Sequence, residues 1–309
     1  MEIRMKSESL LVVGSANMDM VVSTEAFPKP GETLLGKSFD MYPGGKGANQ
    51  AVCSAKLGCK TYFLGRLGED IFRDKLYESM QINGVDLQYL LTDAHSSTGV
   101  AIVLVDGNGE NEIIVTSGSN MTLSPKDVRA NKSLFSYVSV VLTQLEIPLE
   151  TVLESAMLAK ENQTTFILNP APACSIPDKL LEQTDFITPN ESELELLSST
   201  AVSNGEDVEK AARVLISRGV KNVIVTLGEK GAMWVTANGS KEFPTKKVCA
   251  VDTTAAGDAF NGALGCCLAM GHSVEKAIHN ANLVASYSVR RNGAQPSMPT
   301  REEISKYLI

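Results

Sequence analysis

A chain of 309 residues is long enough for one large α/β domain or two ordinary ones. Its 43% hydrophobic and 21% charged residues suit a globular protein, and its net charge of −8 argues against nucleic acid as a main partner, because phosphate-backbone binders usually present a basic face. No run of about 18 apolar residues would span a membrane. The N-terminus mixes acids with bases around a short apolar run, so it does not read as a signal peptide. The expectation is a cytoplasmic protein with no membrane partner.

In chain order, Leu10–Gly14 reads as a short buried strand ending at a glycine, and Lys46–Leu57 as a helix. Thr61–Leu64 is strand-like and Asp70–Ile82 helix-like. The alternation continues through strand Val138–Leu142, helix Leu149–Lys160, strand Thr165–Leu168, helix Val208–Arg218 and strand Asn222–Thr226. Ala259–Met270 and Ser273–Arg290 read as two consecutive helices. Strands alternating with helices imply βαβ units and a mostly parallel sheet covered on both faces, a three-layer αβα sandwich. Two stretches break the rhythm. Met18–Tyr42 alternates Val with Ser and Thr and holds two prolines and two glycines. Thr98–Val105 and Glu112–Thr116 flank the turn Asp106-Gly-Asn-Gly109. Both are read as parts of a small second sheet, a β lid built from segments of about 17–43 and 97–118 inserted into a single 1–309 domain; the plain alternative is ordinary surface hairpins. Six cysteines (Cys53, Cys59, Cys174, Cys249, Cys266 and Cys267) form no CxxC pair and read as free thiols.

The most informative segment is Asp252-Thr-Thr-Ala-Ala-Gly-Asp258-Ala-Phe-Asn. Ala255, Ala256 and Gly257 enter a helix, where backbone N–H groups at the positive end of the dipole suit an anion such as phosphate. Asp258 there makes sense as a base taking a proton from a hydroxyl. Equally, Thr253 or Thr254 could simply cap the helix while Asp258 complements its dipole. Polar residues recur at the other strand ends, where ligands lie in open parallel sheets. Asn17 and Asp19 could bind adjacent hydroxyls of a polyol, although Asp19 taken alone reads better as a turn or cap residue. Gly44-Gly-Lys46-Gly-Ala-Asn49 opens a helix and lets backbone approach a ligand, or merely makes a tight turn. Gln144-Leu-Glu146 and Asn169-Pro-Ala-Pro172 end two more strands. Asn190 and Glu193 fit either a capping box or water-mediated magnesium. Thr226-Leu-Gly228-Glu-Lys-Gly231 is a turn suited to a nucleotide.

In this order, Gly14–Asp19, Pro30–Gly36, Gly44–Ala51, Gln144–Glu146, Leu168–Ala173, Thr188–Glu193, Val225–Ala232 and Asp252–Gly262 resemble the ribokinase-like (PfkB) carbohydrate kinases over essentially the whole chain. The resemblance implies a central, mostly parallel sheet between helices, with a β lid that closes over the sugar and forms a homodimer contact. It implies ATP-dependent phosphorylation of the 5-hydroxyl of ribose, with Asp258 as base and the Ala255–Gly257 amides as anion hole. Asn17, Asp19, Gly45, Lys46, Asn49 and Glu146 would hold the sugar. Asn190 and Glu193 would help place Mg2+ and ATP, and Thr226, Gly228, Gly257 and Asn282 would lie along the nucleotide. Some relatives carry histidine at the position of Asn282. A monovalent cation, usually K+, would sit by Asp252, Thr254, Ser288, Arg291, Gly293 and Ser297, largely on backbone carbonyls. Deoxyribose is the nearest rival substrate, ahead of fructose and nucleosides; Asn17-x-Asp19 favours ribose. A sugar-binding protein that has lost catalysis is the rival from another class. A dinucleotide-dependent dehydrogenase is disfavoured, because Gly14-Ser-Ala-Asn17 is no Gly-x-Gly-x-x-Gly turn.

Overall fold

The computed structural model describes residues 6–308. Residues 1–5, on which part of the N-terminal reading rests, lie outside the described residues. The strands in chain order are β1 (Ser7–Val13), β2 (Asn17–Ser23), β3 (Ser38–Gly44), β4 (Lys60–Leu64), β5 (Arg66–Gly68), β6 (Leu91–Asp93), β7 (Gly99–Val105), β8 (Asn111–Thr116), β9 (Val138–Thr143), β10 (Thr165–Leu168), β11 (Phe186–Ile187), β12 (Asn222–Thr226), β13 (Ala232–Thr236) and β14 (Gly239–Phe243). Eight of them form one sheet in the order β14-β13-β12-β11-β10-β9-β1-β4. From β4 to β12 every pairing is parallel, and β13 and β14 add an antiparallel edge.

β1 shows why the sheet must be covered on both sides. Leu10 and Val12 point into one apolar cluster with the helices Lys46–Lys56, Ala256–Ala269 and Val274–Ser288. Leu11 and Val13 point into another, with the helices Leu149–Glu161, Glu191–Ser198 and Gly205–Ser217. All four residues are fully buried. This is the three-layer αβα arrangement that continuous apolar strands imply. Helix and strand limits fall close to the sequence reading, with one consequential shift. The helix expected from Ala259 begins at Ala256, so Asp258 lies inside its first turn.

A second sheet of four strands, ordered β3-β2-β7-β8, stands apart from the first. β2 pairs antiparallel with β3 and parallel with β7, and β7 pairs antiparallel with β8. Its root is fastened by Asp70. That carboxylate caps the Ile71–Ile82 helix through Phe72 and Arg73 N–H and accepts from Thr98 N at 2.7 Å and Thr98 Oγ1 at 2.8 Å. A two-stranded pair of β5 and β6, and the β13–β14 edge, had no clear alternation signal in the sequence.

Candidate active site

The ends of β1, β9, β10 and β11, the start of the small sheet, and two helix N-termini converge on Asp258. This residue is 6% exposed. Its Oδ2 accepts from Asn49 Nδ2 at 2.9 Å and its Oδ1 from Gln50 Nε2 at 2.9 Å. Burial pushes its carboxyl above the usual range; Lys46 and the two amides oppose the shift, and Glu146 adds to it.

The N-cap of the Asp258 helix is Ala255, in the left-handed region at φ 60°, rather than Thr253 or Thr254. A non-glycine residue held there is strained. The turn directs the Ala255 and Gly257 N–H groups to no partner among the described residues, whereas Ala256 N donates to Thr253 O at 3.2 Å. A Cβ at Gly257 would meet nothing within 4 Å, so the backbone there borders open space.

Opposite lies the Lys46 helix. Gly45, its N-cap, has φ 87°, and a Cβ on it would come within 2.5 Å of Asn17 N. A Cβ at Gly47 would come within 2.6 Å of Ser15 N, and one at Gly44 within 2.1 Å of the Asp19 carboxylate. These glycines are therefore demanded by the chain's own close approach to residues 14–19, whatever a ligand also needs. The result sets Lys46 among four carboxylates. Burial lowers its basicity, but Asp258, Glu146, Glu193 and Asp19 outweigh that and hold the ammonium above its ordinary range. Asp19 is pushed up to about 7 by burial and by the neighbouring Glu146 and Asp258. Burial also raises Glu193.

Glu146 is fixed by Ser15 Oγ at 2.5 Å and Lys46 N at 3.1 Å. Asn17 is 3% exposed, and its Oδ1 accepts from Asn120 Nδ2 at 2.7 Å. Asn120 also takes the Ala16 N–H at 3.0 Å. Asn49 keeps Oδ1 buried and without a partner among the described residues. The six residues expected to hold a sugar, Asn17, Asp19, Gly45, Lys46, Asn49 and Glu146, thus meet on one side of Asp258.

Asn190 and Glu193 form a reciprocal capping box, with Asn190 N donating to Glu193 Oε2 at 2.9 Å and Glu193 N to Asn190 Oδ1 at 2.8 Å. The turn following Pro189 bridges to Thr226, next to Gly228 at φ 57°. Asn282 is 7% exposed and donates from Nδ2 to Phe243 O at 2.8 Å, pinning the end of β14. Asp252 links the two segments expected to hold a monovalent cation, accepting from Thr254 N and Gly293 N, each at 2.8 Å. These bonds hold its carboxyl below the usual range despite burial. Ser288 and Ser297 spend their hydroxyls on Ala285 O and Ala294 O, and Arg291 pairs with Glu303.

Sequence reasoning missed Ser15, Gln50, Asn120 and Gln144 as parts of this site. Gln50, Ser15 and Gln144 lay inside motifs already singled out, without a role of their own. Asn120 sits in a short 3-10 turn with no periodic signal.

Residues 7–301 match the model of the pfkB family carbohydrate kinases. The chain is 40% identical to the ribokinase of Haemophilus influenzae over 97% of its own length and 98% of that protein. It is 38% identical to the deoxyribokinase of Salmonella typhi, again over 97% and 98%. Its fold is similar to that of Arabidopsis thaliana ribokinase complexed with ribose and ATP, with a TM-score of 0.92, 36% identity, and coverage of 98% of this chain and 99% of that one.

Proposed function

The chain belongs to the pfkB family of carbohydrate kinases, and from that premise we propose that it transfers the γ-phosphoryl group of ATP to the 5-hydroxyl of D-ribose, giving ribose 5-phosphate. One observation carries the chemistry: a buried aspartate in the first turn of a helix, beside the Ala255 and Gly257 amides, which have no partner among the described residues, and close to Lys46, Asn49, Glu146 and Asp19. Phosphoryl transfer needs alignment and charge stabilisation more than covalent help. Asp258 takes the proton of the sugar hydroxyl as its oxygen bonds the γ-phosphorus and the bond to the β–γ bridging oxygen breaks, releasing ADP. The Ala255 and Gly257 amides, with Ala256 completing the turn, receive the charge on the transferring group.

Carboxylates and amide oxygens accept from hydroxyls, which suits Asp19, Asn49 and Glu146 to a sugar, while Asn17, whose Oδ1 is taken by Asn120, would donate from Nδ2; Asn49 Oδ1 is a ready acceptor. Gly45 supplies backbone and Lys46 a donor. Thr226, Gly228, Gly257 and Asn282 line the nucleotide side. Four carboxylates around one ammonium would repel a polyphosphate, so a divalent cation fits this cleft. Among the described residues no group of three His, Cys, Asp or Glu could hold a metal directly. Asn190 and Glu193 would therefore hold Mg2+ through water and phosphate, in keeping with its retained hydration; when bound it would offset charge on the phosphates. Carbonyls and side chains of Asp252, Thr254, Ser288, Arg291, Gly293 and Ser297 would surround K+, which would polarise the same helix N-terminus.

We read the small sheet as a lid, inserted into one domain, that excludes water competing for the γ-phosphoryl group. Its face away from Asp19 carries Phe39, Met41, Ile102 and Ile114, exposed by 57%, 37%, 44% and 67%. Such a patch supports a homodimer through the lids. Six free cysteines fit a cytoplasmic protein. Among the described residues no helix is long and apolar enough to cross a membrane.

The test is a coupled ATP assay with ribose, 2-deoxyribose, fructose and adenosine, each with Na+ and with K+. Ribose is expected to give the highest kcat/KM; a preference for 2-deoxyribose would move the substrate to the second kind of relative. No sugar-dependent ADP release with any of them would overturn the kinase reading.

A further inference from the structure

We propose that Gln50 is the positioning residue of Asp258, holding Oδ1 inward so that Oδ2 meets the sugar hydroxyl. The inference rests on Asp258 acting as the base. Gln50 is fully buried on the Lys46–Lys56 helix. Its Nε2 donates to Asp258 Oδ1 at 2.9 Å and to Asn169 Oδ1 at 3.0 Å, and its Oε1 accepts from Gln144 Nε2 at 2.6 Å. Both amide hydrogens and the carbonyl are thus engaged. Turning the amide over would set its oxygen against two acceptor oxygens and its NH2 against another NH2, so a single orientation survives.

The clamp is built from three elements, because Gln144 follows β9 and Asn169 follows β10. It then returns to the base. Asn169 Nδ2 reaches Thr188 O at 3.4 Å, Thr188 Oγ1 donates to Asn261 Oδ1 at 2.6 Å, and Asn261 Nδ2 donates to Gly257 O at 2.8 Å, one residue before Asp258. The other oxygen, Oδ2, accepts from Asn49, a residue expected to hold the sugar and whose own Oδ1 is unpartnered among the described residues. Oδ2 is therefore the oxygen left on the sugar side.

The same donor favours the charged carboxylate. It opposes burial and the negative neighbours Glu146 after β9, Asp19 on β2 and Glu193 on the Glu191–Ser198 helix, working alongside Lys46 on its own helix; the Cys53 thiol also lies near. A hydrogen bond to a charged group is commonly worth about one unit of pKa or more. Removing it should make the base harder to ionise.

The experiment is the pH dependence of kcat with ribose for Gln50→Met, Gln50→Glu and Asp258→Asn. Gln50→Met should move the acidic limb up by about one pH unit. It should also lower kcat at neutral pH by about tenfold or more, with KM for ribose within about threefold. Gln50→Glu keeps the shape but puts a second carboxyl on Oδ1, and the two would share one proton, so its limb should split into two steps. Should the Met variant fail to fold, the near-isosteric Glu variant decides. A limb unmoved in the folded variants, with or without a lower Tm, overturns the assignment of Gln50 and leaves Asp258 as base, provided Asp258→Asn is inactive. Turnover retained by Asp258→Asn removes both.

Discussion

The two sheets place apolar side chains under opposite conditions. In the large sheet Leu10, Leu11, Val12 and Val13 are wholly buried on both faces. In the small sheet the side bearing Asp19 and Ala101 turns to the cleft, while Phe39, Ile102 and Ile114 on the other side remain exposed. Packing on both faces fixes strand ends, so the large sheet and the helix that carries Asp258 can bring Asp258, Gln144 and Asn169 together around Gln50. A sheet with side chains bare on both faces, Ile113 and Val115 on the Asp19 side included, has less to hold it in place and apolar surface to offer. The contrast suggests a division of labour: chemistry on the rigid sheet, cover and association on the other.

The sharpest way to break this comparison is at Asp258. Asp258→Asn should cut kcat by about 10²–10⁴, the usual size of a lost general base, with KM for ribose little changed in steady-state assays. Near-normal turnover would take the chemistry away from the large sheet. On the small sheet, Ile102→Lys combined with Ile114→Glu puts charge on the exposed apolar face. Sedimentation is expected to show a dimer for the unaltered protein and a monomer for the double variant; a monomer in both would leave that face without a partner copy.

Asp19 joins the two regions, and its carboxyl is pushed up to about 7. A carboxyl with a raised folded-state pKa makes the folded protein bind the extra proton. Stability then falls as pH rises from the unfolded value near 4 through about 7, and stays lower above it. Asp19→Asn should therefore stabilise the ligand-free protein by about 1–3 kcal/mol at pH 8 and by less at pH 5, read from melting curves at both. The same change removes an acceptor from the sugar side, so KM for ribose should rise. An equal change in Tm at both pH values would mean that Asp19 is not held protonated. The smallest effect expected is of the monovalent ion. Replacing Na+ by K+ should raise kcat several-fold, and indifference would leave the Asp252–Gly293 link as a purely structural tie.

Much of the frame could be read from local patterns. The limits of β10 and β12 match the sequence reading residue for residue, because short apolar runs between turn residues have few other ways to bury themselves. Candidate residues at strand ends were also visible, since the crevice of a parallel sheet is set by topology. The β13–β14 edge was less visible, because strands such as Gly239–Phe243 carry exposed polar residues and take their shape from a neighbour.

The sequence by itself determined the alternation of strands and helices and the placing of polar residues at strand ends, because these depend on neighbours a few positions away. Only the tertiary structure decided which amide meets which oxygen. Asn49 and Gln50 are adjacent and point about 100° apart on an isolated helix, yet both reach Asp258, more than 200 positions away. That meeting exists because β1, β9 and β10 lie side by side and bring two helix ends together, a relation no local spacing encodes.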